Sequence, residues 1–128
     1  LRPPPNRSLP IVERAKSAYL LWHDYHQILP KTHRHTLGQK IDWLFVEIIE
    51  AISTAIFLPP VEKMPHIRLA IRKTDTVKIL LMILWETKSL DDRKYIDLSF
   101  KIEGMGKMLG GWYGQLVKQN SPAKAGEK

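Results

Sequence analysis

The sequence predicts an all-α fold, an antiparallel up-down bundle of four helices. Apolar residues recur at alternating spacings of three and four along four segments, which puts them on one helix face in each case. No segment alternates with period two, so strands are not expected. Short connections separate the segments, as between antiparallel neighbours in a bundle. The 128 residues, 44% of them apolar, suit one domain with its own core.

The first two predicted helices lie on either side of Pro30. The first runs from about Ile11 to Leu29 and ends before that proline. The second begins near Thr36, where the segment Thr36–Gln39 has the spacing of a capping box. It stops before the next pair of prolines, because proline removes a helical hydrogen bond.

The third and fourth predicted helices begin at clear signals. The third starts between Pro60 and Pro65, since proline is tolerated only in the first turn of a helix. The fourth opens at Ser89, the predicted N-cap, and two acidic residues follow where a helix N-terminus favours negative charge. Its helical spacing continues to the end of the predicted bundle.

These boundaries divide the chain into three parts. We expect an extended Pro-rich arm over residues 1–10, the bundle over residues 11–119 and a flexible tail over residues 120–128. The longest unbroken apolar run, Ile79–Trp85, is too short to span a bilayer, so no membrane partner is expected. The chain contains no cysteine, which fits a reducing, cytoplasmic location.

The run Ile79–Trp85 also predicts an oligomer. It covers two helical turns without a polar residue, and a helix that is apolar all round needs a neighbour on every side. The second helix has a similarly wide apolar surface. We expect an interface between subunits formed by Phe45, Ile49, Ile79, Met82 and Trp85. The alternative is a wide core stripe whose last apolar residues are exposed, which is common in monomers.

The positive charge of the predicted bundle lies on one helix. The net charge of +7 favours anionic partners, nucleic acid first and a membrane surface second. The two chain ends carry part of it, and within the bundle only the segment 59–88 is positive. Basic residues interleaved with an aromatic side chain suit RNA or DNA, whereas the alternative is an ordinary solvated helix face. The candidate binding residues are Arg68, Arg72, Lys73 and Lys78, with Lys31 and Arg34 in an anion-contacting connection.

Catalytic and metal-binding patterns are largely missing from the sequence. No Glu-x-x-His pair is present, as a di-iron bundle requires, and no nucleophile has a recognisable context. His23 and His26 have a spacing that two metal ligands could use. His26 falls on the apolar stripe, however, so a hydrogen-bonded core histidine is the favoured interpretation. We expect no enzyme activity, no metal and no cofactor.

Glycine recurs in the fourth predicted helix. Gly106, Gly110 and Gly114 are spaced every four residues, and each glycine inside a helix costs about 1 kcal/mol relative to alanine. The spacing puts all three on one face, where a neighbouring backbone can approach closely. The pattern therefore predicts a close helix contact along this face.

Two segments resemble a known family. Leu29–Asp42 looks like its first interhelical connection, and Met105–Trp112 is similar to its most specific signature, a Gly-Arg/Lys-x-Leu-Gly-Gly-Trp run in the last helix. The family comprises four-helix-bundle proteins that include Avd, the accessory variability determinant of diversity-generating retroelements. It also includes proteins encoded in intervening sequences of bacterial 23S ribosomal RNA genes. The resemblance covers roughly Ile11–Gln119.

The resemblance implies a specific role. Members form homopentameric, barrel-like rings with a basic surface, and Avd associates with the retroelement reverse transcriptase and its template RNA. It supports adenine-mutating cDNA synthesis without catalysis of its own. By position, Lys78 matches a basic residue of the third helix and Lys107 matches the basic residue of the glycine motif. Met82 stands where the family often has a second basic residue. The basic balance favours the Avd type, and the ribosomal type is the alternative.

Overall fold

The computed structural model describes residues 9–120, and this part of the chain is all-α, as predicted. The predicted arm and tail fall mostly outside the described residues. Four long helices and one short helical turn follow one another: α1 (Pro10–Gln27), α2 (Lys31–Arg34), α3 (Leu37–Ile56), α4 (Pro60–Glu86) and α5 (Asp92–Gln119). Predicted helices three and four correspond to α4 and α5.

The four long helices pack antiparallel around one core. α3 packs against α4, α4 against α5, α5 against α1 and α1 against α3, so each has two principal neighbours. Most buried side chains are those of the predicted apolar stripes, and Trp22 and Leu81 are among the largest that are fully buried. Buried Thr74 donates its hydroxyl to the carbonyl oxygen of Ala70 at 2.8 Å, so this polar group is satisfied within the helix.

The carboxylate of Asp42 on α3 contacts two side chains of α1. Its Oδ1 accepts a hydrogen bond from Trp22 Nε1 at 3.3 Å and lies 3.8 Å from His26 Nδ1. Burial, together with the hydrogen bond and negative charge of Asp42, raises the pKa of Tyr19 above its ordinary value. The Trp22 ring also stacks on His26 at 5.1 Å between centroids, which fixes the angle between the two side chains.

The connection from α1 to α3 differs from the prediction. Residues Lys31–Arg34 form a separate helical turn, α2. The predicted capping box at Thr36 does not form, because the Thr36 hydroxyl donates to the carbonyl oxygen of Thr32 at 3.1 Å and caps no N–H of α3. The backbone of Thr36 lies outside the extended region that a capping residue needs. The side chain therefore closes α2 instead of opening α3.

α4 begins within the predicted range, but Pro65 lies beyond its first turn, and the N-cap of α5 differs from the predicted one. α4 begins at Pro60 and continues through Pro65, which omits one N–H from the helix without ending it. Asp91, not Ser89, is the N-cap of α5, and its Oδ1 accepts the backbone N–H of Lys94 at 2.9 Å. Ser89 Oγ instead lies 2.5 Å from His33 Nδ1, a bond that joins the α4–α5 turn to α2.

Across the described helices, from Pro10 to Gln119, no stretch combines the length and apolar character that crossing a bilayer demands.

Candidate nucleic-acid interface

Arg68 is held in place by an aromatic residue on the neighbouring helix. Its Nη2 and Nε donate to the hydroxyl oxygen of Tyr113 at 2.6 and 3.2 Å, and its Cζ lies 5.6 Å from the ring centroid. These contacts join α4 to α5 at an exposed position. Arginine has five N–H donors, so the guanidinium keeps donors free for a phosphate oxygen. An ordered guanidinium also loses less side-chain entropy on binding.

Arg72 lies one helical turn after Arg68 and is exposed on the outer face of α4. It has no ion-pair partner among residues 9–120, so none of its charge is neutralised by a neighbouring carboxylate there. Both arginines are exposed on α4 and lie one helical turn apart.

Lys78 is partly neutralised within the subunit. Its Nζ lies 3.0 Å from Glu103 Oε1 on α5 and 3.9 Å from Asp75 Oδ1 on its own helix. The same Nζ would lie 3.6 Å from a Cβ at Gly106, so the glycine gives the ammonium group room beside α5. Lys107 lines the same shallow pocket of about 210 Å³ and is exposed. The pocket is thus lined by two cations and by the carboxylates that pair with one of them, Lys78.

We call Arg68, Arg72, Lys78 and Lys107 the basic surface. All four lie on the α4 and α5 side of the bundle, and the structure brings the last two into one pocket. Lys73 does not belong to this surface. Its Nζ lies 3.4 Å from Glu47 Oε2, so it faces α3 and forms an ion pair across the α3–α4 seam.

The two remaining sequence candidates lie at one end of the bundle. Arg34 Nε donates to the carbonyl oxygen of Leu29 at 3.0 Å, which fixes the connection before α2, while Lys31 is exposed. α2 contacts the α4–α5 turn, which follows the last helical turn of α4 at Leu84. Arg68 lies sixteen residues before Leu84, so about 24 Å along α4 separates it from this end of the bundle. The seven candidate cations therefore do not form one continuous site.

Phe45 is not available for a contact between subunits, contrary to the sequence expectation. Its side chain is 0% exposed in the core of its own subunit. The ring lies edge-on to Tyr19 at 5.8 Å and stacks with Trp22 at 6.3 Å between centroids. α3 buries a wide apolar surface because both α1 and α4 pack against it, so the extra apolar residue serves this fold's core.

The other expected interface residues divide into two groups. Ile49 is half-buried beside α1, whereas Trp85 is 38% exposed and also makes contacts between α4 and α5. The Trp85 ring stacks on Tyr95 at 4.8 Å and its Nε1 donates to Asp92 Oδ1 at 2.8 Å, which fastens α4 to α5. Ile79 and Met82 remain exposed at 56% and 38% on α4.

The histidines act as hydrogen-bonding residues in this fold. His26 Nε2 lies 2.9 Å from the carbonyl oxygen of Arg34, which confirms a hydrogen-bonded histidine at the core edge. His23 Nε2 pairs with Gln27 Nε2 at 2.6 Å on the surface of α1. Within residues 9–120, no three His, Asp or Glu side chains are arranged to hold a metal ion.

Three further residues with distinctive contacts or exposure were absent from the sequence-based list. Lys63 donates to the carbonyl oxygens of Ala55 and Ile56 at 2.7 and 3.1 Å and so caps the C-terminus of α3. Arg14 and the 80% exposed Phe100 lie together on the surface shared by α1 and α5. Phe100 stood off the apolar stripe of its helix, and that signal could have identified it.

No protein-family model matches the chain, and a search of curated proteins finds no match either. The described part of the chain is a small, all-helical bundle of four long helices with an exposed basic surface.

Proposed function

We propose that this chain is a non-catalytic accessory protein of a diversity-generating retroelement. In that role it binds the reverse transcriptase together with template RNA or cDNA, and it supports mutagenic cDNA synthesis and retrohoming. The proposed active form is a homopentameric ring of bundles. The proposal is supported by the likeness of Met105–Trp112 to the glycine signature of the Avd family and by the exposed cations on α4 and α5.

The observation that carries the proposal is the pair of exposed cations Arg72 and Lys107. Neither forms an ion pair within the described part of the chain, so both keep their full charge for an anionic partner. Cations that bind phosphates displace the counterions condensed on the nucleic acid. This release drives binding and does not depend on the base sequence. Such contacts suit an accessory protein that accepts many template sequences.

Arg68 and Tyr113 would add geometry to this electrostatic attraction. The guanidinium lies against the tyrosine ring and is fixed by two hydrogen bonds to its hydroxyl. A planar, ordered guanidinium can bind a phosphate with two parallel hydrogen bonds. In the proposed complex Arg68 therefore positions a phosphate, Arg72 and Lys107 supply charge, and the chemistry belongs to the polymerase.

The proposed ring is supported by the apolar residues that the subunit leaves uncovered. Ile79 and Met82 are exposed on α4 next to Lys78, and solvent contact with these side chains costs free energy. A ring would cover this part of α4 and repeat the basic surface once in every subunit. Repetition multiplies weak phosphate contacts along one nucleic-acid chain through effective concentration.

The proposal is tested by titrating fluorescently labelled single-stranded RNA with the purified chain at several salt concentrations. We expect the logarithm of the association constant to fall linearly with the logarithm of the salt concentration, with a slope of about −0.7 per phosphate contact for a single strand. The ratio of absorbance at 260 and 280 nm of the purified protein gives a second measure, since retained nucleic acid raises it. A flat salt dependence without retained nucleic acid would contradict the proposal.

A second candidate function is a structural oligomer of the ribosomal intervening-sequence type. The ion pair between Lys78 and Glu103 favours it, because a cation already paired with a carboxylate attracts phosphate less. Met82 also stands where the family often has a second basic residue, so this face of α4 has one cation fewer for a phosphate. This alternative predicts an oligomer by light scattering, together with no RNA binding in the titration above.

A further inference from the structure

An apolar ridge stands on the exposed face of α5, beside α1. Ile96 and Phe100 are one helical turn apart and are 63% and 80% exposed. Two open grooves of about 540 and 600 Å³ adjoin this ridge, and both are bounded by Arg14 of α1. Leu21 of α1 adds a third apolar side chain to the first groove. Exposed apolar ridges beside grooves are typical of protein docking sites.

Cations surround this ridge. The guanidinium of Arg14 lies against the backbone of α5, with Nη1 2.6 Å from the position a Cβ would take at Gly104. Lys101 Nζ donates to Ser17 Oγ at 2.9 Å and lines the first groove, while Lys107 lines the second. Neither Arg14 nor Lys107 forms an ion pair within residues 9–120.

The acidic residues near the ridge offset these cations only in part. Glu103 lines the second groove, but its Oε1 lies 3.0 Å from Lys78 on the other side of α5. Asp97 is the acidic residue that borders the first groove. The rim thus offers positive charge to an arriving partner, around an apolar centre. An apolar core within a polar rim is the usual arrangement of a specific protein interface.

The side chains favour a protein over a nucleic acid at this place. Single-stranded nucleic acids bind by stacking successive bases on aromatic rings. Of the aromatic residues bordering the grooves, Phe100 offers a free ring, whereas the Tyr95 ring is already stacked on Trp85. Ile96 and Leu21 provide aliphatic surface, which packs against the apolar face of a helix.

We propose that the α1–α5 grooves dock an acidic amphipathic helix of a partner protein. Its apolar residues, spaced three and four apart, would pack on Ile96 and Phe100, and glutamates on both sides would meet Arg14, Lys101 and Lys107. This docking site does not rest on the proposed nucleic-acid function, although Lys107 belongs both to its rim and to the basic surface. It lies on a different pair of helices from the α4 arginines.

The test uses two synthetic helical peptides of 18 residues and the full chain. Both peptides carry leucines at alternating three- and four-residue spacing, and their flanking positions are glutamate in one and lysine in the other. Fluorescence anisotropy of the labelled peptides at low salt gives their affinities. We expect the acidic peptide to bind at least about tenfold more tightly than the basic one, because charge complementarity favours it. Equal affinities, or no binding of the acidic peptide, would overturn the proposal.

Two variants place the binding on the ridge. The double variant I96A/F100A should lower acidic-peptide affinity at least about tenfold, because both anchor side chains are removed. The matched control is F57A, which removes an exposed phenylalanine at the end of α3 and should leave the affinity unchanged. Both sites are exposed, and thermal unfolding of each variant verifies the fold. Equal losses in the two variants would contradict docking at the ridge.

Two further measurements separate other occupants. Light scattering of I96A/F100A asks whether the ridge joins copies of this chain, and an altered mass with no peptide binding would replace the partner helix by a second copy. RNA titration of the same variant should give the wild-type affinity. Loss of RNA affinity together with unchanged peptide affinity would show a nucleic-acid site and overturn the proposal. If only the retroelement proposal fails, the acidic peptide should still bind more tightly than the basic one, and I96A/F100A should still weaken its binding.

Discussion

Asp91 determines where α5 begins. Its carboxylate accepts the Lys94 backbone N–H, and this bond, followed by the side-chain bond from Lys94, lowers the pKa of Asp91 below its ordinary value. A carboxyl group with a lowered folded-state pKa stabilises the fold above its unfolded pKa near 3.9. That contribution is lost as pH falls through the lower, folded-state value.

We expect Asp91→Ala to lower the melting temperature at pH 7, because the first turn of α5 loses its cap. The Asp91→Asn variant should retain most of the stability, since an amide oxygen also caps. The difference between wild type and Asp91→Ala should shrink as pH falls below about 4 at low salt. Thermal unfolding by circular dichroism at pH 7 and pH 3 measures this. A difference that grows on acidification would contradict the capping role.

Phe45 offers a sharper test of burial. Removing a fully buried phenylalanine typically costs about 3–5 kcal/mol, because apolar contacts are lost and a cavity remains. We expect Phe45→Ala to lower the free energy of unfolding by this amount in urea denaturation. The control is Phe57→Ala, whose exposed side chain should change little. If Phe45→Ala lowered the mass of an oligomer but left the free energy of unfolding unchanged, Phe45 would belong to a subunit interface instead.

At the scale of the helix, the glycines of α5 serve different purposes. Gly106 lies beside Lys78, whereas a Cβ at Gly110, Gly111 or Gly114 would meet no atom within 4 Å. The close helix contact that the four-residue spacing predicted is therefore not formed along the later glycines within this subunit. The open backbone there is available to a neighbouring molecule.

We expect Gly110→Ala and Gly114→Ala each to raise the free energy of unfolding by about 1 kcal/mol, since alanine is the better helix former and meets no obstruction in the subunit. Urea denaturation measures this change. Light scattering of the same variants tests a close approach by a second subunit, because added methyl groups would weaken it. Destabilisation without a change in mass would contradict the open geometry.

The positions of the helices and the approximate places where they begin and end could be predicted from the sequence, but their capping contacts could not. Apolar spacing located all four long helices because burial fixes that period. Ser89 and Thr36 were expected as caps from residue type and local spacing, yet both hydroxyls bond elsewhere, to His33 and Thr32. Which partner a hydroxyl selects depends on the neighbouring turn, and single-sequence spacing contains no information about that turn.

At the scale of the whole molecule, the charge count identified α4 but not how its charges are used. Lys73 and Lys78 both count as positive in the sequence, yet each lies within 4 Å of a carboxylate on a neighbouring helix. Such pairs form between helices, so they follow from packing. The sequence therefore correctly predicted which helix carries the net positive charge of the bundle. It could not separate the paired cations from Arg72, which is exposed.

The same reasoning explains the ridge on α5. The segment is electrically neutral in sequence, but Glu103 is drawn to Lys78 and Asp91 caps the helix. The outer face near Phe100 is consequently left with Arg14 and cations of α5. The face near Phe100 thus holds these cations beside Asp97, and this candidate binding surface meets the basic surface at Lys107.

The central claim is that the exposed cations of the basic surface bind nucleic acid. Its most direct test is RNA affinity of the double variant R72E/K107E against the control K40E/K88E, which changes the net charge equally at other exposed positions. We expect R72E/K107E to weaken binding at least about tenfold and to make the salt slope shallower by about 1.4, about 0.7 for each lost phosphate contact. The control should keep most of the affinity. Equal losses in both variants, or none in R72E/K107E, would contradict this assignment.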